Sequence, residues 1–275
     1  MHSVHSDGEW TPDRLVKAAR RAGLAAIALT DHDTVGGVAG AKEAGRLHDV
    51  EVLSGVELST WDDADVHLLA YGVDTANDEL GRVLGRSQAD RFQRAVRIVD
   101  RLAELGAPIT LGSVLDQAGE GAVGRPHVAK ALVAAGHVAT VREAFDVYLA
   151  DGRPACVEKR KLPTAEAIAL IHRAGGVAIA AHPGTYGGAD RLEPARLAGL
   201  DGIEVRHSLH GPDLERAFEE YADRHGLLKT GGTDFHGPRG ALEVGTIRIP
   251  YDWVEELKVR VARWRAAGGG GNDGR

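Results

Sequence analysis

Thr30-Asp31-His32-Asp33 closes a short apolar run, Gly23-Leu24-Ala25-Ala26-Ile27-Ala28-Leu29, that has the length of a strand. Just past a strand end the backbone turns, and neighbouring side chains can converge on one point. A carboxylate beside an imidazole there is a ligand pair for Zn²⁺, Mn²⁺ or Fe. Alone, the stretch reads equally well as a polar turn in which Asp33 or Thr34 caps the next helix. The pattern recurs, and recurrence decides for ligands. The candidates are His2, Asp7, Asp31, His32, Glu57, His67, His182, Asp234 and His236, and His, Asp or Glu residues stand at the ends of at least five separate strand-length runs. Taken singly, His67 reads as a core histidine, Glu57 as a surface strand residue and His182-Pro183-Gly184 as a turn. Asp234-x-His236 is harder to dismiss, because it follows the glycine pair Gly231-Gly232.

Nine nitrogen and oxygen donors exceed the needs of one ion; with bridging carboxylates they suit two or three. Clustered divalent ions do what phosphoester hydrolysis requires. One lowers the pKa of a bound water, and others neutralise phosphate oxygens and stabilise the leaving oxygen. No Ser or Cys with a partnered base is apparent, and the GxSxG elbow and Walker A loop are absent. Acyl transfer and NTP hydrolysis are therefore disfavoured.

The elements that position these residues alternate. Thr11 as N-cap and Pro12 in the first turn open a helix that Gly23 ends. The strand into Asp31-His32 precedes a helix over 35–48. Strands follow at 50–58, carrying Glu57, and 66–71, carrying His67. From 77 to 157 no strand is predicted: a long Arg-rich helix spans 80–105, with shorter ones at 111–119, 126–136 and 140–150. Alternation resumes with a helix at 164–174, a buried strand at 176–181, a short helix near 190–199, a strand at 202–207, a helix at 211–225 and the run 227–232. Residues 246–249 read as a last strand and 251–266 as a closing helix. Such alternation predicts a parallel α/β architecture, with chemistry at the C-terminal strand ends. The segments 1–76 and 158–267 form the barrel, 77–157 a helical insertion or lid, and 268–275 a disordered tail. Arg82, Arg86, Arg91, Arg94, Arg97 and Arg101 read as a solvated helix face, and Lys159-Arg160-Lys161 as a solvated turn. His5, His48, His137, His172 and His225 read as surface or structural.

Composition bounds the function. A chain of 275 residues with net charge −7 can bury a large core but does not present a broad nucleic-acid-binding surface. The single cysteine, Cys156, excludes an internal disulfide and a cysteine-rich zinc site. No stretch approaches the roughly 20 apolar residues of a membrane span, and no signal-peptide core opens the chain. Cytoplasmic location is expected.

Together, His2…Ser6-Asp7-Gly8, Leu29-Thr30-Asp31-His32-Asp33, Ser54-Gly55-Val56-Glu57-Leu58-Ser59, Val66-His67, Ala181-His182-Pro183-Gly184 and Gly232-Thr233-Asp234-Phe235-His236 resemble the polymerase and histidinol phosphatase (PHP) superfamily. They run in that family's order over nearly the whole chain. The resemblance implies a distorted (βα)₇ TIM-like barrel with a trinuclear site of Mn²⁺, Zn²⁺ or Fe. It implies all nine donors as metal ligands, with Glu57 bridging and Asp7, Glu57 and His182 as catalytic residues. Gly124-Arg125-Pro126-His127 resembles a subgroup of nucleoside 3′,5′-bisphosphate phosphatases and 5′-to-3′ exonucleases of short RNA. There Arg125 and His127 would contact phosphate, with Arg206 and His207 on the substrate side. The implied reaction is attack of metal-bound hydroxide on a small nucleotide or an RNA 5′ end, with no membrane and no stable protein partner.

One departure stands out. His2 aligns with the second histidine of an Asp-Leu-His-x-His pattern, so the family's first strand and first histidine would lie before Met1. A late start assignment is the favoured account, and the chain as written is expected to be impaired at one metal or more. The rivals are a histidinol-phosphate-type phosphomonoesterase, a PHP protein that binds without turnover, and a metal-dependent C–N hydrolase on a similar barrel.

Overall fold

A computed structural model describes residues 1–61, 65–158, 162–238 and 242–266. The expected turn at 159–161 and tail at 268–275 lie outside the described residues. Helix α1 (Pro12–Arg21) starts where Thr11 Oγ1 accepts from Arg14 N, and leads to β1 (Ala26–Leu29). Helix α2 (Val38–His48) and strand β2 (Glu51–Trp61) follow, then β3 (Asp65–Tyr71). Helices α3 (Asp78–Glu104), α4 (Leu111–Ala118), α5 (Arg125–Ala134) and α6 (Val141–Ala144) come next, and α6 continues as a wider turn over Phe145–Leu149. The chain returns through β4 (Leu162–Pro163), α7 (Thr164–Arg173), β5 (Val177–Ala180) and α8 (Glu193–Leu197). It finishes with β6 (Gly202–His207), α9 (Pro212–His225), β7 (Leu228–Gly232) and α10 (Tyr251–Ala266).

One curled sheet runs β1-β2-β3-β5-β6-β7, with β4 beside β2. It is mixed, which corrects the all-parallel expectation: β3 lies antiparallel to both β2 and β5, and the other pairs are parallel. Length is the reason. Only residues 62–64 separate β2 from β3, whereas a parallel crossover needs a dozen or more residues. The expected strand at 246–249 is not formed either. Thr246 is held in a local turn, with its N–H and Oγ1 donating to Glu243 O and its Oγ1 accepting from Glu243 N. A side chain that satisfies the nearby backbone competes with strand pairing.

Most of the core packs the sheet against α7, α9 and the start of α3, through residues such as Leu58, Leu68, Ile168, Ile203 and Phe218. Residues 95–157 bury a separate apolar cluster, including Ile98, Leu102, Val114, Leu132 and Leu149. The helical segment therefore carries its own core. Its longest helix is not uniformly solvated, however. Arg82, Arg86, Arg97 and Arg101 are exposed, but Arg91 and Arg94 are half-buried and donate to Asp33 and Val157 O.

Candidate metal centre

The N-terminal loop is tied to the C-terminal strand ends by its backbone. Thr30 N donates to Met1 O at 3.0 Å, and His2 N donates to Phe235 O at 2.8 Å. Asp31 fixes the loop from the other side, accepting from Ser3 N (2.6 Å), Ser3 Oγ (2.7 Å) and Ser6 Oγ (2.7 Å). Gly8 is required by close approach, since a Cβ there would lie 2.2 Å from His2 O. Past the end of β1, His32 bridges Glu57: Glu57 N donates to Asp31 O and Asp33 N to Glu57 O. Asp33, His182 and Asp234 adopt left-handed backbone, at φ 52°, 33° and 49°. Such strain collects at functional sites, where the surroundings over-determine it.

Among the described residues the side chains meet in three groups whose ligand atoms lie within 4.8 Å of one another. His2, Asp7, His32 and His236 form one, His32, Glu57 and His67 the second, and His2, Glu57 and Asp234 the third. The groups share His2, His32 and Glu57, so the three positions are joined at their corners. His182 Nε2 stands at 3.4 Å from Glu57 Oε1. Asp31 is the one expected ligand turned elsewhere, towards the serines of the loop.

The donor atoms fit a cation. His2 Nε2 lies 3.0 Å from Asp234 Oδ1 and 3.1 Å from Glu57 Oε2, and His67 Nδ1 lies 2.6 Å from Glu57 Oε1. Yet His2 Nε2, His32 Nδ1 and His67 Nδ1 are buried without a partner in hydrogen-bonding geometry. Buried polar atoms left in that state are costly, and divalent ions between nitrogen and carboxylate remove the cost. Oxygen and imidazole nitrogen donors accept Mn²⁺, Zn²⁺ or Fe alike.

Imidazoles and carboxylates shift one another inside the cluster. Burial would lower His2, but the carboxylates of Asp234 and Glu57 override it and hold the imidazolium up to about 10. His182 follows the same course, pushed to about 9 by Glu57 against burial. For His32 burial wins over Glu57 and Asp7 and lowers it to about 3. Burial acts to raise Asp7 and Glu57, but the surrounding imidazoles, His32 foremost, hold both well below the usual carboxylate range.

The substrate-side residues divide. His207 is buried beside His182, with ring centres 5.6 Å apart; its Nδ1 accepts from Leu209 N and its Nε2 has no partner. Arg206 turns away, donating to Arg248 O and lying over Trp253. Arg125 donates to Leu149 O and, at 2.7 Å, to Asp151. His127 Nδ1 accepts from Gly124 N at 3.0 Å, while the ring also meets the Ser6 backbone. Sequence reading missed Glu204, which is buried, accepts from His182 N at 2.8 Å and is raised to about 7 by burial. Its signal was visible: a lone carboxylate inside an apolar strand, as with Glu57. Sequence reading also missed Arg91 and Gln88, which reach Asp33 from α3.

A curled α/β sheet with a buried imidazole–carboxylate cluster at its strand ends defines a metal-dependent hydrolase. The chain belongs to the PHP domain family, whose pattern matches residues 1–172. It is 36% identical to a 3′,5′-nucleoside bisphosphate phosphatase of Chromobacterium violaceum, covering 89% of each chain. It is 31% identical to the 5′-3′ exoribonuclease Rnm of Escherichia coli, over 89% of this chain and 86% of that one. Among solved structures, a candidate metal-dependent phosphoesterase from Bifidobacterium adolescentis superposes with a TM-score of 0.88 at 36% identity, over 94% of both chains. An amidohydrolase from Chromobacterium violaceum, with sulfate bound and no metal, superposes with a TM-score of 0.86 at 33% identity, again over 94% of both. The comparisons place the chain among the hydrolases of phosphate esters.

Proposed function

We propose that this chain hydrolyses phosphate esters of nucleotides, either 3′,5′-bisphosphonucleotides or the 5′ ends of short RNA, at a centre of two or three divalent ions, Mn²⁺ foremost. The observation that carries the reading is the set of three ligand groups sharing His2, His32 and Glu57. Bound ions there supply Lewis acidity to a water and neutralise phosphate charge. The protein's residues do the rest. Glu57 spans two of the groups. Asp7 orients the outer face of the cluster through His236, 3.3 Å away. His182 Nε2 holds a proton at the rim of the cluster, from which it serves the leaving oxygen. Arg125 on α5 and the unpartnered Nε2 of His207 supply phosphate and sugar contacts, whereas His127, expected beside Arg125, is buried with both ring nitrogens engaged and holds the Ser6 loop instead. A small phosphorylated end needs no broad basic surface, so net charge −7 is compatible with this reading.

The finer fold belongs to the same proposal: the sheet is a distorted (βα)₇ barrel that one more strand would close, and 77–157 acts as a lid. A cytoplasmic setting suits nucleotide substrates. Among the described residues no helix is long and apolar enough to cross a membrane.

A second reading, metal-dependent C–N hydrolysis, is favoured by one observation, the superposition on an amidohydrolase. Phosphate release from adenosine 3′,5′-bisphosphate and from 5′-phosphorylated trinucleotides, with Mn²⁺ added, separates the two. Release from either is expected, and Glu57→Ala should abolish it. No release from both, with Zn²⁺ and Fe²⁺ also tried, overturns the nucleotide reading.

A further inference from the structure

Helix α3 grips the strand ends with a single turn. Gln88 Nε2 donates to the carbonyl of Asp33 at 3.0 Å. Arg91, three residues on and so on the same helix face, donates from Nε to the Asp33 carboxylate at 2.7 Å. It also donates from Nη2 to Ser59 Oγ at 3.2 Å. Asp33 directly follows His32, and Ser59 stands two residues beyond Glu57 on β2, where side chains two apart share a face. One turn of α3 therefore holds two of the three segments that carry the His32–Glu57–His67 group, the His32 loop and the Glu57 strand. The pair is not a surface decoration, since the Arg91 and Asp33 side chains are 11% and 2% exposed. On its far side the guanidinium faces the start of α5, where a Cβ on Gly124 would lie 3.5 Å from Nη1. Asp33 needs such support, because its φ of 52° is a conformation that side chains rarely adopt. Ser59 N also donates to Asp33 Oδ1, at 3.3 Å.

We propose that Arg91, seconded by Gln88, is a positioning residue for the metal centre: it clamps the His32 loop to the Glu57 strand and sets the spacing of the His32–Glu57–His67 group. The inference rests on the metal reading above. It makes the helical segment part of the metal centre, because the fork that spaces the ligands grows from α3. Groups that orient metal ligands from behind change metal affinity by about 10–100-fold when removed. A fork is needed here, since one planar group must reach a carboxylate and a hydroxyl together.

The test is Mn²⁺ titration of the full chain, by calorimetry and by electron paramagnetic resonance, with circular dichroism as the fold check. Arg91→Met should fold yet lose one equivalent of bound Mn²⁺, or bind it about 10–100-fold more weakly. Arg91→Lys should fall between Arg91→Met and the unaltered chain, and Gln88→Ala should weaken the same equivalent about threefold to tenfold. Arg97→Ala, an exposed arginine on the same helix, should bind as the unaltered chain does. Arg91→Met matching the unaltered chain in stoichiometry and affinity overturns the clamp. Should Arg91→Met fail to fold, Arg91→Lys and Gln88→Ala decide, and unchanged binding in both overturns it as well. An unaltered chain that binds no Mn²⁺, Zn²⁺ or Fe²⁺ defeats the metal reading itself.

Discussion

His127 shows how one side chain can join two segments that sequence separates by more than a hundred residues. Its Nδ1 accepts from Gly124 N, so Nε2 carries the proton and meets the Ser6 backbone. The ring is buried, and burial lowers its pKa below the ordinary histidine value of about 6.5. The sign follows from that direction. An unfolded chain takes up a proton at this histidine below about pH 6.5, and the folded one resists it, so stability falls as pH drops through that value. His127→Gln keeps an acceptor for Gly124 N and does not titrate. In metal-free buffer, urea melts from pH 7.5 to 5.5 should show the unaltered chain losing more stability than His127→Gln. Equal losses would remove His127 from the acid response. A second residue-scale expectation concerns Gly8. Its Cβ position lies on the His2 carbonyl, so Gly8→Ala must displace the loop that carries His2 and Asp7. It should lower Mn²⁺ content by at least one equivalent, read by elemental analysis of the dialysed protein, and unaltered content would show that the loop adapts.

At the scale of elements, the helical segment's contribution to substrate grip can be isolated. Arg125 opens α5 and is braced by Leu149 O and Asp151, on the turn that follows α6. A braced guanidinium is pre-organised to receive a phosphate without rearranging. Under the nucleotide reading Arg125→Ala should raise KM for adenosine 3′,5′-bisphosphate about tenfold or more, while kcat changes by roughly threefold or less. An enzyme acting on an uncharged amide would scarcely register the change, so an unaltered KM for its best substrate favours the C–N reading. Elements were the most legible level of this chain. Thr11, Asn77, Thr110 and Thr140 each accept at a helix start, the signal that local sequence carries best. Strand direction was less legible, because alternation suggests crossovers and only the shortness of 62–64 reveals a hairpin. Thr246-Ile247-Arg248-Ile249 has the composition of a strand, but Thr246 bonds locally and Gly245 stands at φ 88°. The site divided the same way. Ligand types at strand ends pointed to the cluster, whereas Asp31 turning to the serines and Arg91 turning inward depend on packing between distant segments.

At the scale of the molecule, the sheet ends matter most. Among the described residues β1 and β7 stand at opposite ends of the strand order, and each pairs with one neighbour. Between them lies a cavity of about 310 Å³ lined by Ile27, Leu53, Leu69, Tyr71, Ile249 and Leu257 on the apolar side, with Glu57, Glu204, Lys229, Asp234 and Arg248 among its charged members. Open edges facing an apolar gap are a liability in a curled sheet. Met1-His2 already spans the mouth of that gap, accepting from Thr30 N and donating to Phe235 O. Residues placed upstream of Met1 would run down the gap alongside both strands, in the parallel sense. Four residues there would add backbone hydrogen bonds worth about 1 kcal/mol each net and fill apolar space. The expected gain is on the order of 3 kcal/mol, a rise in Tm of roughly 6–12 °C for a domain of this size. It should come with a fuller complement of Mn²⁺, since a strand seated in the gap would hold the Met1-His2 backbone in place. Paired thermal melts and metal analyses, on the 275-residue chain and on one carrying a designed upstream strand of alternating apolar residues, decide the matter. A matched control ends in a glycine–serine tract of equal length, which extends the chain without pairing. A gain in both Tm and metal with the strand but not with the tract supports closure of the sheet at this gap. Equal values for the strand and the tract would mean that β1 and β7 do not accept a partner, and that the gap instead opens the interior to solvent beneath Glu57 and Asp234.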